Sequence, residues 1–121
     1  MPFDRQIVYE GGVPGAQSVQ FTEGDNQTDI LITATRNVNG IQLWSGSISS
    51  FVSSGGAPVD DKISDSSGTT YLSVENGPNN SAVLTMNLHG IVVPAGLALE
   101  LISGNAGVTH KVAGTVIYSL L

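Results

Sequence analysis

Few side chains in this sequence could support acid–base, nucleophilic or metal chemistry. His89 and His110 are the only histidines, and there is no cysteine, so the sequence lacks the usual ligands of a structural zinc site. A serine–histidine–carboxylate triad needs a histidine next to a serine and an orienting carboxylate, and neither histidine lies in a nucleophile-elbow motif. His110 shares a strand parity with Val108 and Val112, which favours a histidine of the core or of a subunit interface. His89 precedes Gly90 in a turn-like sequence, and we expect it to be solvated.

Oxygen-rich loops raise the question of calcium, which β-sandwich proteins often bind in such loops. Asp25, Gln27 and Asp29 have the spacing of the first three ligands of an EF-hand loop. Ile30 then stands where that loop requires glycine, and Arg36 stands where it requires a bidentate glutamate. The spacing is therefore interpreted as a chance match.

A second acidic group contains Asp60, Asp61 and Asp65, with Lys62 among them. These residues follow a glycine-rich stretch, and we interpret them as a solvated turn. The sequence contains neither a dinucleotide-binding glycine motif nor a P-loop. It therefore predicts a protein that is not an enzyme, with no catalytic residue, no cofactor and no bound metal.

The charge balance restricts the partners. The formal net charge is -6, and only four residues are Lys or Arg. These four are scattered, so no basic stripe is available for a nucleic acid or an anionic membrane. No stretch approaches the roughly 18 apolar residues of a membrane span, and the first residues do not resemble a secretory signal. We expect a protein that is made in the cytoplasm and binds neither nucleic acid nor membrane.

The composition favours a folded chain with a weakly charged surface. Charged residues make up 12% of the sequence and hydrophobic residues 40%, whereas disordered chains combine low hydrophobicity with high charge. A length of 121 residues fits one domain, residues 1–121. Residues 1–15 are predicted to form an N-terminal arm of this domain.

Alternation of apolar and polar residues, the signature of strands, runs through almost the whole sequence. The pair Asn39-Gly40 separates the alternating runs 30–35 and 41–44 and predicts a hairpin. The stretch "NGPNNS" (76–81) separates two further runs and predicts a second hairpin. No window sustains a helical period. The sequence therefore predicts an all-β fold, an antiparallel β-sandwich that is jelly-roll-like, with about eight short strands.

Gly114 and the glycine-containing stretch 53–61 each predict a local feature of this sandwich. Gly114 interrupts the apolar parity of the final strand, which indicates a bulge or a close approach of backbone. The stretch 53–61 is predicted to be a crossover between the sheets.

The final strand is apolar on both faces, with Val116 and Tyr118 on one face and Ile117 and Leu121 on the other. One sheet of a small monomer cannot cover both faces, so we expect copies of the chain or a larger partner to cover the second. Trp44 falls on the face opposite Ile41 and Leu43, where it serves either as a packing anchor or as a platform for sugars. The predicted contact residues with other subunits or with such a larger partner are Phe3, Ile7, Tyr9, Trp44, Phe51, Tyr118, Leu120 and Leu121.

The runs "GIVVPAGLALELISGNAG" and "HKVAGTVIYSLL", together with the short Gly/Ser/Thr-rich strands and the acidic, cysteine-free composition, resemble the small jelly-roll proteins of tailed-phage virions. Among these, the sequence is most similar in character to capsid cement or decoration proteins. The resemblance implies a homotrimer on the outer capsid surface that binds and stabilises the lattice of the major capsid protein. A carbohydrate-binding module, or a phage fibre or tail component of β-sandwich fold, stays open as an alternative.

Overall fold

A computed structural model describes residues 16–121, which form eight strands and no helix. No helix among these residues is therefore available to cross a membrane. The predictions for the N-terminal arm, including Phe3, Ile7 and Tyr9, lie outside the described residues. The strands are β1 (Gln17–Glu23), β2 (Thr28–Ile32), β3 (Ile41–Val52), β4 (Val59–Asp65), β5 (Thr70–Asn76), β6 (Asn80–Val93), β7 (Leu99–Ile102) and β8 (His110–Leu120).

The strands form two antiparallel four-stranded sheets, in the orders β1-β8-β3-β6 and β2-β7-β4-β5. Consecutive strands alternate between the sheets, except for β4 and β5, which pair with each other. Two sheets of four strands connected in this way form a jelly roll. The predicted all-β antiparallel sandwich, with its jelly-roll character and eight strands, is confirmed. The stretch 53–61 does connect the two sheets, and β4 begins within it.

Both predicted hairpins are wrong. The Asn39-Gly40 pair joins β2 to β3, and "NGPNNS" joins β5 to β6, so each connects strands of different sheets. The side chain of Asn37 organises the first connection: its Nδ2 donates to the carbonyls of Pro94 (2.7 Å) and Leu97 (2.8 Å), and its Oδ1 accepts from the Gly40 N–H (2.8 Å). These long-range partners are invisible to a local turn signal.

A bulge at Trp44 decides which side chains of β3 enter the core. Leu43 pairs with Tyr118 of β8 and Ser45 with Ile117, so β3 has one extra residue at this point. Before the bulge the odd-numbered Ile41 and Leu43 are buried, and after it the even-numbered residues are buried, as Ile48 is. Trp44 therefore lies on the face opposite Ile41 and Leu43, as the sequence predicts.

The apolar final strand is the second strand of its sheet, between β1 and β3. Val112, Val116 and Tyr118 of β8 are buried in the core between the sheets. Gly114 marks a close approach, which confirms the second of the two predicted readings. A Cβ at this position would lie 2.6 Å from Cζ of Phe21, its partner on β1, and would collide with the Ser47 carbonyl group. Any side chain at residue 114 would therefore push Phe21 or β3 out of place.

Candidate functional site

Asp25, His110 and Asp61 form a largely buried cluster of ionisable groups, which we call the ionic cluster. His110 lies between the two carboxylates: its Nδ1 is 2.8 Å from Oδ1 of Asp25, and its Nε2 is 2.9 Å from Oδ2 of Asp61. The side chains of His110 and Asp61 are fully buried, whereas that of Asp25 is 24% exposed. The three residues come from the β1–β2 connection, the start of β8, and β4.

Two loops enclose the ionic cluster, and Ser103 fastens them together. The Ser103 hydroxyl donates to the carbonyl of Gly24 (2.6 Å) and accepts from the N–H of Gln27 (2.8 Å). The Ser103 N–H donates to the carbonyl of Gln27, and the Asn26 N–H donates to the carbonyl of Gly104. These bonds fix the β1–β2 loop against the β7–β8 loop, and so they position Asp25.

Backbone N–H groups of the β7–β8 loop complete the ionic cluster. Gly104 donates to Oδ1 of Asp61 (2.8 Å), Ala106 donates to Oδ1 of Asp25 (2.7 Å), and Gly107 donates to Oδ2 of Asp25 (3.0 Å). Every carboxylate oxygen of the cluster thus accepts at least one hydrogen bond. This arrangement meets the requirement that buried charges be paired and hydrogen-bonded.

The geometry determines the protonation of His110. A neutral imidazole has one donor and one acceptor nitrogen, and only the imidazolium donates from both. Because each ring nitrogen faces a carboxylate oxygen, the cluster holds the imidazolium. Burial alone would lower the pKa of His110, but the hydrogen bonds to Asp61 and Asp25 and the negative charges of both raise it overall. The Ala106 N–H lowers the pKa of Asp25 against the effect of burial, with further help from His110 and Gly107.

The ionic cluster is suited to hold the fold and not to move a proton. A general base needs an unprotonated nitrogen within reach of a substrate proton, whereas both nitrogens of His110 already donate to carboxylates. Within residues 16–121, no hydroxyl group bonds to His110, and no group of His, Asp and Glu side chains is arranged to hold a metal ion. The cluster ties three segments from both sheets together at one end of the sandwich.

Two acidic residues of β4 correct the sequence analysis. Asp60, Asp61 and Asp65 do not form a solvated turn, because they lie on a strand whose alternation turns Asp61 and Asp65 inward and leaves Asp60 exposed. Asp61 shares its parity with Val59 and Ile63, both buried, and this is the signal that the sequence analysis missed. The spacing from Asp25 to Asp29 builds no calcium loop, since the Asp25 carboxylate bonds to His110.

Asp65 organises the β4–β5 hairpin from inside. Its carboxylate accepts from the N–H and the hydroxyl of Ser67 (2.8 and 2.6 Å), from the Thr69 N–H (3.2 Å) and from the Tyr71 hydroxyl. Burial alone would raise the pKa of Asp65, but these hydrogen bonds lower it overall. Burial and the neighbouring Asp65 both raise the pKa of the Tyr71 hydroxyl. This second acidic site is therefore also internal.

The predictions for both histidines are confirmed. His110 is a core histidine, with 3% of its surface exposed. His89 is exposed, although it lies in an irregular part of β6 and not in a turn. There β6 contains extra residues relative to β3, since Leu43 pairs with Ile91 and Ser45 with Asn87. His89 has a positive φ of 52°, which fits this local irregularity.

The outer face of the β1-β8-β3-β6 sheet, directed away from the other sheet, consists mostly of small uncharged side chains. In pairing order its rows include Gln20, Thr115, Ser47 and Thr85; then Thr22, Ala113, Ser49 and Val83; then Lys111, Phe51 and Ser81. Lys111 is the one charged residue of these rows. Such a face offers little chemistry for catalysis, and it can approach another neutral surface without a large cost of desolvating charge.

The structure places the predicted contact residues in different environments. Tyr118 is 3% exposed and belongs to the core, so it cannot form part of a contact surface. Leu120 is partly buried against the core, and Leu121 is 50% exposed. Phe51, 39% exposed, lies on the outer face. Trp44 is partly buried, and its Nε1 donates to Oγ of Ser119 (2.9 Å), a fixed position that favours the packing anchor over the sugar platform.

Exposed large apolar side chains are concentrated on this same sheet. Of eight such residues in the described chain, five lie on β3 and β6 and a sixth directly follows β8. These six are Phe51, Val83, Met86, Ile91, Val92 and Leu121. The other two, Ile30 and Val38, lie on β2 and in the loop that follows it.

Neither a protein-family model nor a curated protein matches the sequence. The fold is similar to a solved structure of Bacillus endospore appendages, described as disulfide-linked pili, with a TM-score of 0.47, 15% identity, and coverage of 88% of this chain and 87% of that chain. It is also similar to the Gx strain of infectious bursal disease virus (TM-score 0.40, 15% identity) and to the T13 particle of that virus (0.38, 13%). The matches cover 88% and 87% of this chain and 31% of each viral chain. These similarities concern the path of the chain and not its function.

Proposed function

We propose that this protein is a structural, non-catalytic subunit that acts in a multi-copy assembly, with the outer face of the β1-β8-β3-β6 sheet as a contact surface. The observation that carries the proposal is the concentration on β3, β6 and the end of β8 of six of the eight exposed large apolar side chains. Phe51 and Val83 lie in neighbouring rows at one end of this face, and Val92 and Leu121 lie close together at the other end. Exposed apolar groups of this kind mark interaction sites in soluble proteins. The internal use of both His110 nitrogens supports the non-catalytic part of the proposal.

Within this class, we propose a capsid cement or decoration protein of a tailed phage. It would sit as a homotrimer on the outer surface of the virion and stabilise the lattice of the major capsid protein. The resemblance of the C-terminal third of the sequence to such proteins supports this assignment, and the jelly-roll strand order and the weakly charged outer face are compatible with it. Carbohydrate binding has less support, because Trp44 is partly buried and Phe51 lies at the far end of β3.

The first test is the native mass of the full chain, measured by light scattering after size exclusion at several concentrations. We expect three protomers of 12.5 kDa, or a multiple of three. A protein that stays monomeric at tens of micromolar would overturn the proposal of a self-assembling subunit. Other stoichiometries would retain the assembly and overturn the trimer.

The capsid assignment needs a second measurement. Purified protein is mixed with empty heads of a tailed phage, and the mixture is sedimented. Saturable co-sedimentation, together with an increased melting temperature of the heads, is the expected result. Binding should weaken in a Phe51→Asp variant, which places a charge on the outer face without altering the core. If the protein never sediments with heads, the cement assignment fails.

A further inference from the structure

The edge strand β6 differs from the other three edges of the sandwich. The sheet orders place β1, β6, β2 and β5 at the edges. Three of these strands carry an acidic residue, namely Glu23 on β1, Asp29 on β2 and Glu75 on β5. β6 carries no Asp, Glu, Lys or Arg and no proline, and its 14 residues make it the longest of the four.

Natural proteins protect exposed edges with charges, prolines, bulges or short strands, because an open edge presents unpaired N–H and C=O groups. The irregularity at His89 and Gly90 interrupts β6, but residues 80–87 before it pair regularly with β3. We call these residues the β6 edge. On the side away from β3, the β6 edge has no strand neighbour within residues 16–121. About 25 Å of regular strand is thus left open.

We infer that the β6 edge pairs with the β6 edge of a second copy of this chain, in antiparallel orientation about a two-fold axis. The inference rests on the proposed multi-copy function and names one of its contacts. In a two-fold interface the same surface meets itself, so any charge close to the axis faces a like charge. Among the four edges that residues 16–121 form, only β6 avoids this repulsion, and it does so in a chain whose net charge is -6.

The side chains of the β6 edge are suited to such a contact. Val83 is 72% exposed and Met86 is 45% exposed. Val83 shares the outer face with Thr85, whereas Met86 has the parity of Leu84, which packs against the core. Pairing would continue the β1-β8-β3-β6 sheet into the second copy as an eight-stranded sheet, and it would cover both apolar side chains. Cross-strand pairs of this type stabilise a sheet.

The test is a Val83→Lys substitution in the full chain. Val83 lies near the middle of the β6 edge, so the new charge falls close to the two-fold axis, and its high exposure lets the protomer tolerate lysine. We expect the native mass to fall to one half of that of the wild type, for example from hexamer to trimer or from dimer to monomer. The matched control is Ile30→Lys, which places the same charge at an exposed apolar position on the β2 edge and should leave the mass unchanged.

A complementary pair of variants separates a broken contact from a misfolded protomer. Val83→Glu alone should also halve the mass, whereas an equimolar mixture of Val83→Lys and Val83→Glu should restore it, because lysine then faces glutamate. Hydrogen exchange gives an independent readout. Those amides of residues 80–87 that point away from β3 should exchange at least tenfold more slowly at concentrations where the wild type pairs than in the Val83→Lys variant.

Several outcomes would overturn the inference. If the wild type is a trimer whose mass Val83→Lys leaves unchanged, the assembly stands and the β6 pairing is wrong. If Ile7→Asp halves the mass and Val83→Lys does not, the contact belongs to the N-terminal segment. A monomeric wild type at all concentrations would remove the proposed assembly together with the pairing.

Discussion

The ionic cluster and the β6 edge place chemically opposite groups in unusual surroundings. The ionic cluster puts three ionisable side chains inside the protein, where charge is costly, whereas the β6 edge leaves Val83 and Met86 on the surface. In the cluster, every ring nitrogen and carboxylate oxygen has a partner within the chain. On the β6 edge, residues 16–121 provide no strand partner on the open side.

The ionic cluster therefore holds the fold together, whereas we assign the β6 edge to contacts with another copy of the chain. A buried histidine with a perturbed pKa between two carboxylates is the kind of feature that usually indicates an active site. Here the hydrogen bonds show that the same feature serves to hold two loops and two sheets together. The β6 edge, to which we assign a contact between copies, carries no charged side chain. Its significance lies in the backbone N–H and C=O groups that face away from β3.

Removal of the imidazole is the largest expected perturbation. His110→Ala leaves the carboxylate of Asp61 buried without its counter-charge, and breaking a buried ion pair in this way costs about 3–5 kcal/mol. Urea unfolding followed by tryptophan fluorescence measures this loss. The matched control is His89→Ala at the exposed histidine, which should change the free energy of unfolding by less than about 0.5 kcal/mol. Equal losses in the two variants would contradict the internal role of the ionic cluster.

The pH dependence of stability gives an intermediate effect. The pKa of His110 is raised above its ordinary 6.5, so its contribution is complete below pH 6.5 and is lost as pH rises through the raised value. The pKa of Asp25 is lowered below 3.8, so its contribution is present above pH 3.8 and is lost as pH falls through the lowered value. We therefore expect greatest stability between these limits.

Urea unfolding from pH 3 to pH 9 checks this profile. In His110→Ala the decline on the alkaline side should disappear, because no group of the cluster then loses a proton there. An unchanged alkaline decline in that variant would assign it to other groups.

Substitution of Asp60 has the smallest expected effect on stability, and substitution of its neighbour Asp61 has a much larger one. Asp60 is exposed and lies opposite Glu75 on β5, so Asp60→Asn removes a repulsion between like charges and should change stability by no more than about 0.5 kcal/mol. Asp61→Asn, one residue later, replaces the carboxylate that faces His110 and should be clearly destabilising. Thermal unfolding of the two variants side by side measures the difference. If they behave alike, the buried position of Asp61 is wrong.

Local alternation predicts much of the architecture. Alternation predicts that Ile41 and Leu43 share one face of a strand, opposite Trp44, and both are buried. The strand number and the sandwich followed from such patterns, because period two reports directly on the two faces of a strand.

Strand pairing and the site needed information that no short window contains. Asn37 shapes its loop through carbonyls near Pro94, far along the chain, so a glycine turn that resembles a hairpin joins two sheets instead. Asp25 meets His110 across a separation of 85 residues. The parity of Asp61 with Val59 and Ile63 was readable in the sequence, but acidic residues are so seldom fully buried that composition favoured a solvated turn.

The internal position of β8 has a consequence for how the protein folds. Its Tyr118 bonds to Gln17 of β1 across 101 residues, and β8 separates β1 from β3. During synthesis, β1 therefore waits for β8 to emerge before it has a sheet neighbour among the strands of residues 16–121. Contacts between residues so far apart in the sequence form slowly. Until they form, the unpaired strands are exposed to other chains. Folding should be slow and concentration-sensitive, so dilution and low temperature should increase the yield of refolded protein.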